Sequence, residues 1–156
     1  MAPIPRTIKV QSQAFDAGHA SAALAFGRKD VGALVSFVGL CRDEAGSLAT
    51  LELEHYPGMA EAELERIAAE AESRWSLLGL TVIHRYGKIA PGEPIVLVVA
   101  ASAHRAAAFA AAEFIMDFLK NRAPFWKKEH RVDGTDGGWV EAKDADEQAL
   151  ARWGKA

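Results

Sequence analysis

The chain has 156 residues, half of them hydrophobic and a quarter charged, with 18 Lys and Arg against 21 Asp and Glu for a formal net charge of −3. That composition suits one globular domain with its own core, and it gives no electrostatic support to a nucleic-acid or membrane-surface role. Cys41 is the single cysteine, so no intrachain disulfide can form; with no signal-peptide run and no apolar run of membrane-spanning length, a cytoplasmic protein is expected.

We expect residues 1–156 to form a single domain, with 1–6 and 154–156 as loose ends. Thr7–Gln11 alternates around Ile8 and Val10 and predicts a short edge strand. The alanine-rich stretch Phe15–Phe26 predicts a helix stopped by Gly27. Gly32–Leu40 is nearly continuous apolar sequence and predicts a buried strand, followed by a charged loop over Cys41–Ser47. From Ala49 the chain alternates, with Leu51, Leu53 and His55 on one face and Glu52 and Glu54 on the other, until Tyr56-Pro57-Gly58 stops it.

Met59–Leu78 predicts the clearest helix, its apolar residues spaced by three and four from Leu64 to Leu78, with Gly79 as the stop. Strands are expected over Thr81–Tyr86 and Ile95–Ala101, with a Gly- and Pro-rich loop over Gly87–Pro94. Ser102 is placed to cap a helix reaching Asn121, whose apolar stripe is Phe109, Ala112, Ile115, Met116 and Leu119. Glu129–Val132 and Gly138–Glu141 predict two short strands around Asp133–Gly137, and Asp144–Trp153 a terminal helix capped by Asp144. Helices and strands intermix, and no Gly-x-Gly-x-x-Gly follows a strand. The prediction is an α+β fold with a mixed, mostly antiparallel sheet flanked by helices.

The chemistry concentrates in Lys120-Asn-Arg-Ala-Pro-Phe-Trp-Lys-Lys128, where four cations and two aromatics share nine residues. Pro124 forces any helix to end before it, so Lys120 closes a helix while Lys127 and Lys128 leave on an extended segment. Two amines can then approach one spot from different directions, to hold an anion or stabilise developing negative charge, or act as base or nucleophile with a lowered pKa. The same residues also fit a solvated basic loop, with Phe125 and Trp126 as core anchors.

Arg42 follows one predicted strand, and His104 and Arg105 follow another at a helix start, where a phosphate or carboxylate could be held if the strands are neighbours. Arg42 could equally pair with Asp43. Cys41 reads either as a nucleophile beside Arg42 or as a small buried hydrophobe. The five histidines are scattered without metal-ligand spacing, so no metal site is expected.

Several stretches together resemble the large, catalytic subunit of molybdopterin synthase. They are Gly32-Ala-Leu-Val-Ser-Phe-Val-Gly39 with Arg42, Leu53-Glu-His-Tyr-Pro-Gly-Met59, Val82-Ile-His-Arg-Tyr-Gly87, Ser102-Ala-His-Arg105, Phe114–Lys120, Arg122-Ala-Pro-Phe-Trp-Lys-Lys-Glu129 and Trp139-Val-Glu-Ala142. The resemblance implies a hammerhead-like α/β fold and a sulfurtransferase of molybdenum-cofactor biosynthesis. It implies a homodimer at the core of a heterotetramer, each large subunit receiving the C-terminal Gly-Gly thiocarboxylate of a small ubiquitin-like partner. The substrate would be cyclic pyranopterin monophosphate, converted to molybdopterin by two sulfur transfers with no resident cofactor.

By the same resemblance the catalytic lysines fall on Lys120 and Lys127, and the substrate contacts on Arg42, His104, Arg105, Lys128 and Glu129. Cys41 stands where that family usually has an aliphatic residue, which argues against it as a sulfur carrier. The acidic Asp43-Glu44 loop is a departure beside a phosphate site. A non-catalytic scaffold that docks a ubiquitin-like tail is the alternative expectation.

Overall fold

The computed structural model describes residues 3–140 and 144–154. Its elements, in chain order, are β1 (Arg6–Gln11), α1 (Ala17–Ala25), β2 (Ala33–Leu40), β3 (Leu48–His55), α2 (Met59–Arg74), β4 (Gly79–Arg85), β5 (Gly87–Ile89), β6 (Pro94–Ser102), α3 (Arg105–Asn121), β7 (Phe125–Arg131), β8 (Asp136–Val140) and α4 (Asp144–Ala151). The strands form two four-stranded sheets, where one was expected. The larger runs β1-β4-β6-β2, with β1 parallel to β4 and the other pairs antiparallel; the smaller runs β5-β3-β7-β8 and is antiparallel throughout.

Side-chain alternation along β4 and β6 splits the interior of the larger sheet into two cores. Leu80, Val82, Val96, Val98 and Ala100 face a cluster with α2 and α3, while Ile83, Leu97, Val99 and Ala101 face Leu24 of α1. Both faces are covered, which is why these strands read as unbroken apolar runs.

Several expectations about boundaries fail because long-range contacts override local preferences. Arg6 is not part of a loose end: it opens β1, bonds to Glu65 and Glu72 of α2, and follows Pro5, whose carbonyl accepts the Leu80 N–H at 3.0 Å. α2 ends at Arg74 rather than Leu78, because Trp75 turns extended to reach Phe114 and Gly79 is needed in β4. Ser102 does not cap α3. Its hydroxyl donates to the Ser76 carbonyl at 2.8 Å, and His104 occupies the cap position without a side-chain bond.

On α3 the buried face is Ala108, Ala111, Ala112, Phe114, Ile115, Met116 and Phe118, and Phe109 lies outside it, 61% exposed. The largest departure is β2. It is an edge strand whose Leu34, Phe37 and Leu40 are exposed, so a strand with the composition of an interior one borders solvent in the single chain.

α4 is fastened beside the end of α3. Trp153 packs edge-on against Trp75 and Phe114, each at 5.6 Å between centroids, and its indole N–H donates to Asp117 Oδ2 at 2.6 Å. The Asn121 amide donates to the Asp146 carbonyl at 2.6 Å. The expected cap at Asp144 and the end of the second short strand at Glu141 lie outside the described side chains and residues.

Candidate active site

α3 ends where the Arg122 N–H donates to the Phe118 carbonyl, and Pro124 keeps the helix from continuing. The chain turns and enters β7 at Phe125, paired with His55 of β3. Along β7, period-two geometry sends Phe125, Lys127, Glu129 and Arg131 to one side. These four line a cavity of about 640 Å³ between the two sheets and the end of α3, and Lys120 lines it from the helix. The two lysines therefore reach one space from different elements.

Arg42 stands at the mouth, where the acidic loop begins, and pairs with Glu44. The neighbouring acid has another use: Asp43 accepts the Leu48 N–H at 3.0 Å and so shapes the turn into β3. Among the described residues the lining holds four cations (Arg42, Lys120, Lys127, Arg131) against three carboxylates (Glu44, Glu129, Asp146). Such a pocket favours an anion while still offering acceptors to a polar ligand.

His84 forms part of the wall. The residue is 5% exposed, and its ring lies on Phe125 at 3.8 Å between centroids, nearly parallel at 15°. Phe125 also faces His55 at 6.1 Å, and His55 packs on Tyr86 at 4.3 Å, so four rings tie β4 of one sheet to β3 and β7 of the other. Stacks of this kind contribute about 0.5–1.5 kcal/mol each beyond area burial. Burial drives the His84 pKa down to about 4, helped by the positive charge of Lys127 and Lys120.

Cys41 is 3% exposed, and its thiol is pushed up by burial first and then by the nearby Glu93 and Asp43. A thiol held protonated in an apolar wall is a poor nucleophile, which supports its reading as a small hydrophobe. No group of three or more His, Cys, Asp or Glu placed to hold a metal occurs among the described residues.

Of the residues expected from sequence, the cavity gathers Lys120, Lys127, Arg42 and Glu129. Lys128 is not among them. The alternation that brings Lys127 inward turns Lys128 to the other face, where its ammonium lies 3.4 Å from Asp136 and over the Trp139 ring. His104 and Arg105 are exposed at the opposite end of α3, roughly 24 Å of helix from Lys120 at 1.5 Å per residue. Within one chain they do not line the cavity.

Sequence reasoning missed His84 and Arg131. Arg131 was legible as the third step of the Lys127, Glu129, Arg131 alternation. His84 gave no spacing signal, because its role depends on β7 folding across it.

Comparison with known proteins adds an independent line. The MoaE protein family model matches residues 10–122. A molybdopterin synthase catalytic subunit from Mesorhizobium japonicum is 71% identical over 147 residues, covering 94% of this chain and 92% of that protein. Among solved structures, the molybdopterin biosynthesis MoaE protein from Burkholderia ambifaria superposes with a TM-score of 0.82 at 48% identity, covering 97% of this chain and 99% of the other. Molybdopterin synthase from Staphylococcus aureus gives 0.74 at 28% identity, over 84% and 94% of the two chains.

Proposed function

The chain belongs to the MoaE protein family and acts as the catalytic subunit of a molybdopterin synthase, and on that premise we propose how its cavity carries the sulfur transfer. The reaction belongs to molybdenum-cofactor biosynthesis. A small ubiquitin-like partner brings sulfur as a C-terminal Gly-Gly thiocarboxylate, and cyclic pyranopterin monophosphate receives two sulfurs in succession to become molybdopterin.

The observation that carries the reading is the convergence of Lys120 and Lys127 on one cavity from a helix end and a strand. The substrate brings a phosphate, the donor brings a thiocarboxylate, and acyl loss passes through an oxyanion, so fixed cations favour every stage. Lys120 engages the tail and its acyl carbon. Lys127 orients the pterin and stabilises charge, with Arg42 at the mouth on the phosphate and Glu129 as an acceptor for substrate N–H groups. No resident cofactor takes part, since the sulfur enters on the partner's tail, and buried Cys41 plays no part in carrying it. The setting is the cytoplasm; among the described residues no helix is long and apolar enough to cross a membrane.

His104 and Arg105 act on the second protomer's cavity. The unpaired edge of β2, with exposed Leu34, Phe37 and Leu40 and with Phe109 nearby on α3, is a sticky edge of the kind that a second copy covers. The residues leading into α3 abut those leading into β2: a Cβ on Gly32 would lie 2.1 Å from the Ala103 carbonyl oxygen. Arg42 follows the other end of the same strand. A two-fold axis through the middle of β2 lays the His104 end of one copy beside the Arg42 end of its mate.

Reconstitution with a thiocarboxylated partner and the cyclic pterin tests the reading. Molybdopterin should form only when both proteins are present. Tail binding without turnover would leave only a docking scaffold, and wild-type turnover by Lys120→Ala would overturn the role of that lysine. Mixing inactive Lys120→Ala and His104→Ala chains should restore up to one intact site per mixed dimer; no recovery would place His104 outside the partner's site.

A further inference from the structure

His84 is buried, faces the cavity and has no assigned part in the reaction above. Its Nδ1 lies 2.8 Å from the Arg85 carbonyl oxygen. A carbonyl only accepts, so Nδ1 carries the proton and Nε2 is left as a bare acceptor. Nε2 makes no hydrogen bond to the described residues. Among those residues the one buried side-chain polar atom lacking a partner is Asn121 Oδ1, so Nε2 is not sealed in the interior. His84 as a whole residue is 5% exposed, and it lines the cavity.

The ring cannot swing to hide that atom. Phe125 covers one of its faces, and turning the imidazole over would put the Cδ2 carbon in place of Nδ1 and take the Nδ1–H donor away from the Arg85 carbonyl. Nor does it charge readily: desolvation and the ammonium groups of Lys127 and Lys120 disfavour the imidazolium, with His55 adding to them. What remains is a fixed, neutral acceptor in a wall otherwise rich in cations.

We propose that His84 is a substrate-binding residue of this cavity, its unprotonated Nε2 accepting a hydrogen bond from a ring N–H or the exocyclic amine of the bound reduced pterin. The proposal rests on the reading above and adds a recognition element to it. Lysine and arginine can hold the phosphate and oxyanions but offer no acceptor to the heterocycle. Glu129 offers one at the cost of a charge, and His84 offers one without. A donor-rich heterocycle is thereby selected over a phosphorylated compound that lacks N–H groups.

The test uses the intact wild-type chain with 15N-labelled histidine, observed by NMR with and without cyclic pyranopterin monophosphate and without the partner, so that no turnover occurs. The expected result is a pyrrole-like Nδ1 and a pyridine-like Nε2 in the free protein, with the Nε2 resonance moving on addition of the pterin and not on addition of inorganic phosphate. A pyrrole-like Nε2, or an Nε2 signal unmoved at saturating pterin, overturns the proposal and leaves the sulfurtransferase reading intact. Failure of the pterin to bind at all counts against both.

Variants supply a second readout in the reconstituted assay. His84→Phe keeps the stack and loses the acceptor, so the KM for the pterin should rise about tenfold, the scale of one lost hydrogen bond, with kcat changing less. His84→Gln sets an amide oxygen near the place of Nε2 and should recover most of that loss, whereas His84→Asn, which restores only the Nδ1 side, should not. Equal KM values for the Gln and Asn variants would refute the role of Nε2 even if the Phe variant fails to fold.

Discussion

β7 presents two faces made from alternate residues of one strand, and they have different chemistry. Inward, Phe125, Lys127, Glu129 and Arg131 line the cavity, with His84 stacked over the first of them. Outward, Trp126 packs edge-on against Tyr56, Lys128 pairs with Asp136, and His130 lies between Glu52 at 2.7 Å and Asp136 at 2.8 Å. The inner side chains border the cavity, whereas the outer ones are packed or paired across the sheet away from it. Adjacent lysines in sequence are therefore not equivalent in position: Lys127 lines the cavity and Lys128 does not.

The strongest way to break this contrast is to remove the lysines one at a time. Lys120→Ala and Lys127→Ala should each lower kcat by about 10²–10³-fold, the range for losing one preorganised stabiliser of developing charge. Lys128→Ala should stay within about twofold, because a half-exposed ion pair is worth little. Rates in the reconstituted system check all three, and a Lys128→Ala defect as large as that of Lys127→Ala would dissolve the distinction between faces.

A stability change of intermediate size tests whether the inner face is held from behind. Phe114→Ala, which removes a fully buried ring shared by Trp75 and Trp153, should cost about 3–5 kcal/mol by urea unfolding and loosen α4 beside Lys120.

The two histidines sharpen the comparison through pH, with opposite signs. Folded His84 has its value lowered to about 4 from 6.5, so between those limits the unfolded chain binds a proton that the folded one refuses. Its contribution to stability is present above pH 6.5 and is lost as pH falls towards 4. His130 has its value raised, by its bonds to Glu52 and then to Asp136. Its contribution is in full below pH 6.5 and disappears as pH climbs through the raised value. Urea midpoints across this range should show the acid-side slope reduced in His84→Phe and the neutral-side slope reduced in His130→Gln. The His130 effect should be the smaller, because its ring and both carboxylates are partly solvated.

Much of the fold was legible in the sequence. Alternation placed Leu51 and Leu53 inward on β3, the three-and-four spacing found α2 and α3, and Pro124 located the break that separates Lys120 from Lys127. Where the reading failed, a long-range contact had replaced a local preference. Ser102 left its capping position for the Ser76 carbonyl, and Trp75 left the helix for Phe114. Phe109 was counted as core because its spacing fits a stripe, but the helix face it occupies is not covered within one chain.

The sequence by itself determined the periodicities, the proline break, the family resemblance and a basic stretch carrying two usable lysines, since each is a property of neighbouring residues or of their order. Only the tertiary structure decided which cations share a space. Strand parity divides Lys127 from Lys128, and the length of α3 carries His104 and Arg105 away from Lys120. The neutral state of His84 is likewise written in no local pattern. It follows from burial, and burial is created when β7 folds over β4 and Phe125 covers the ring.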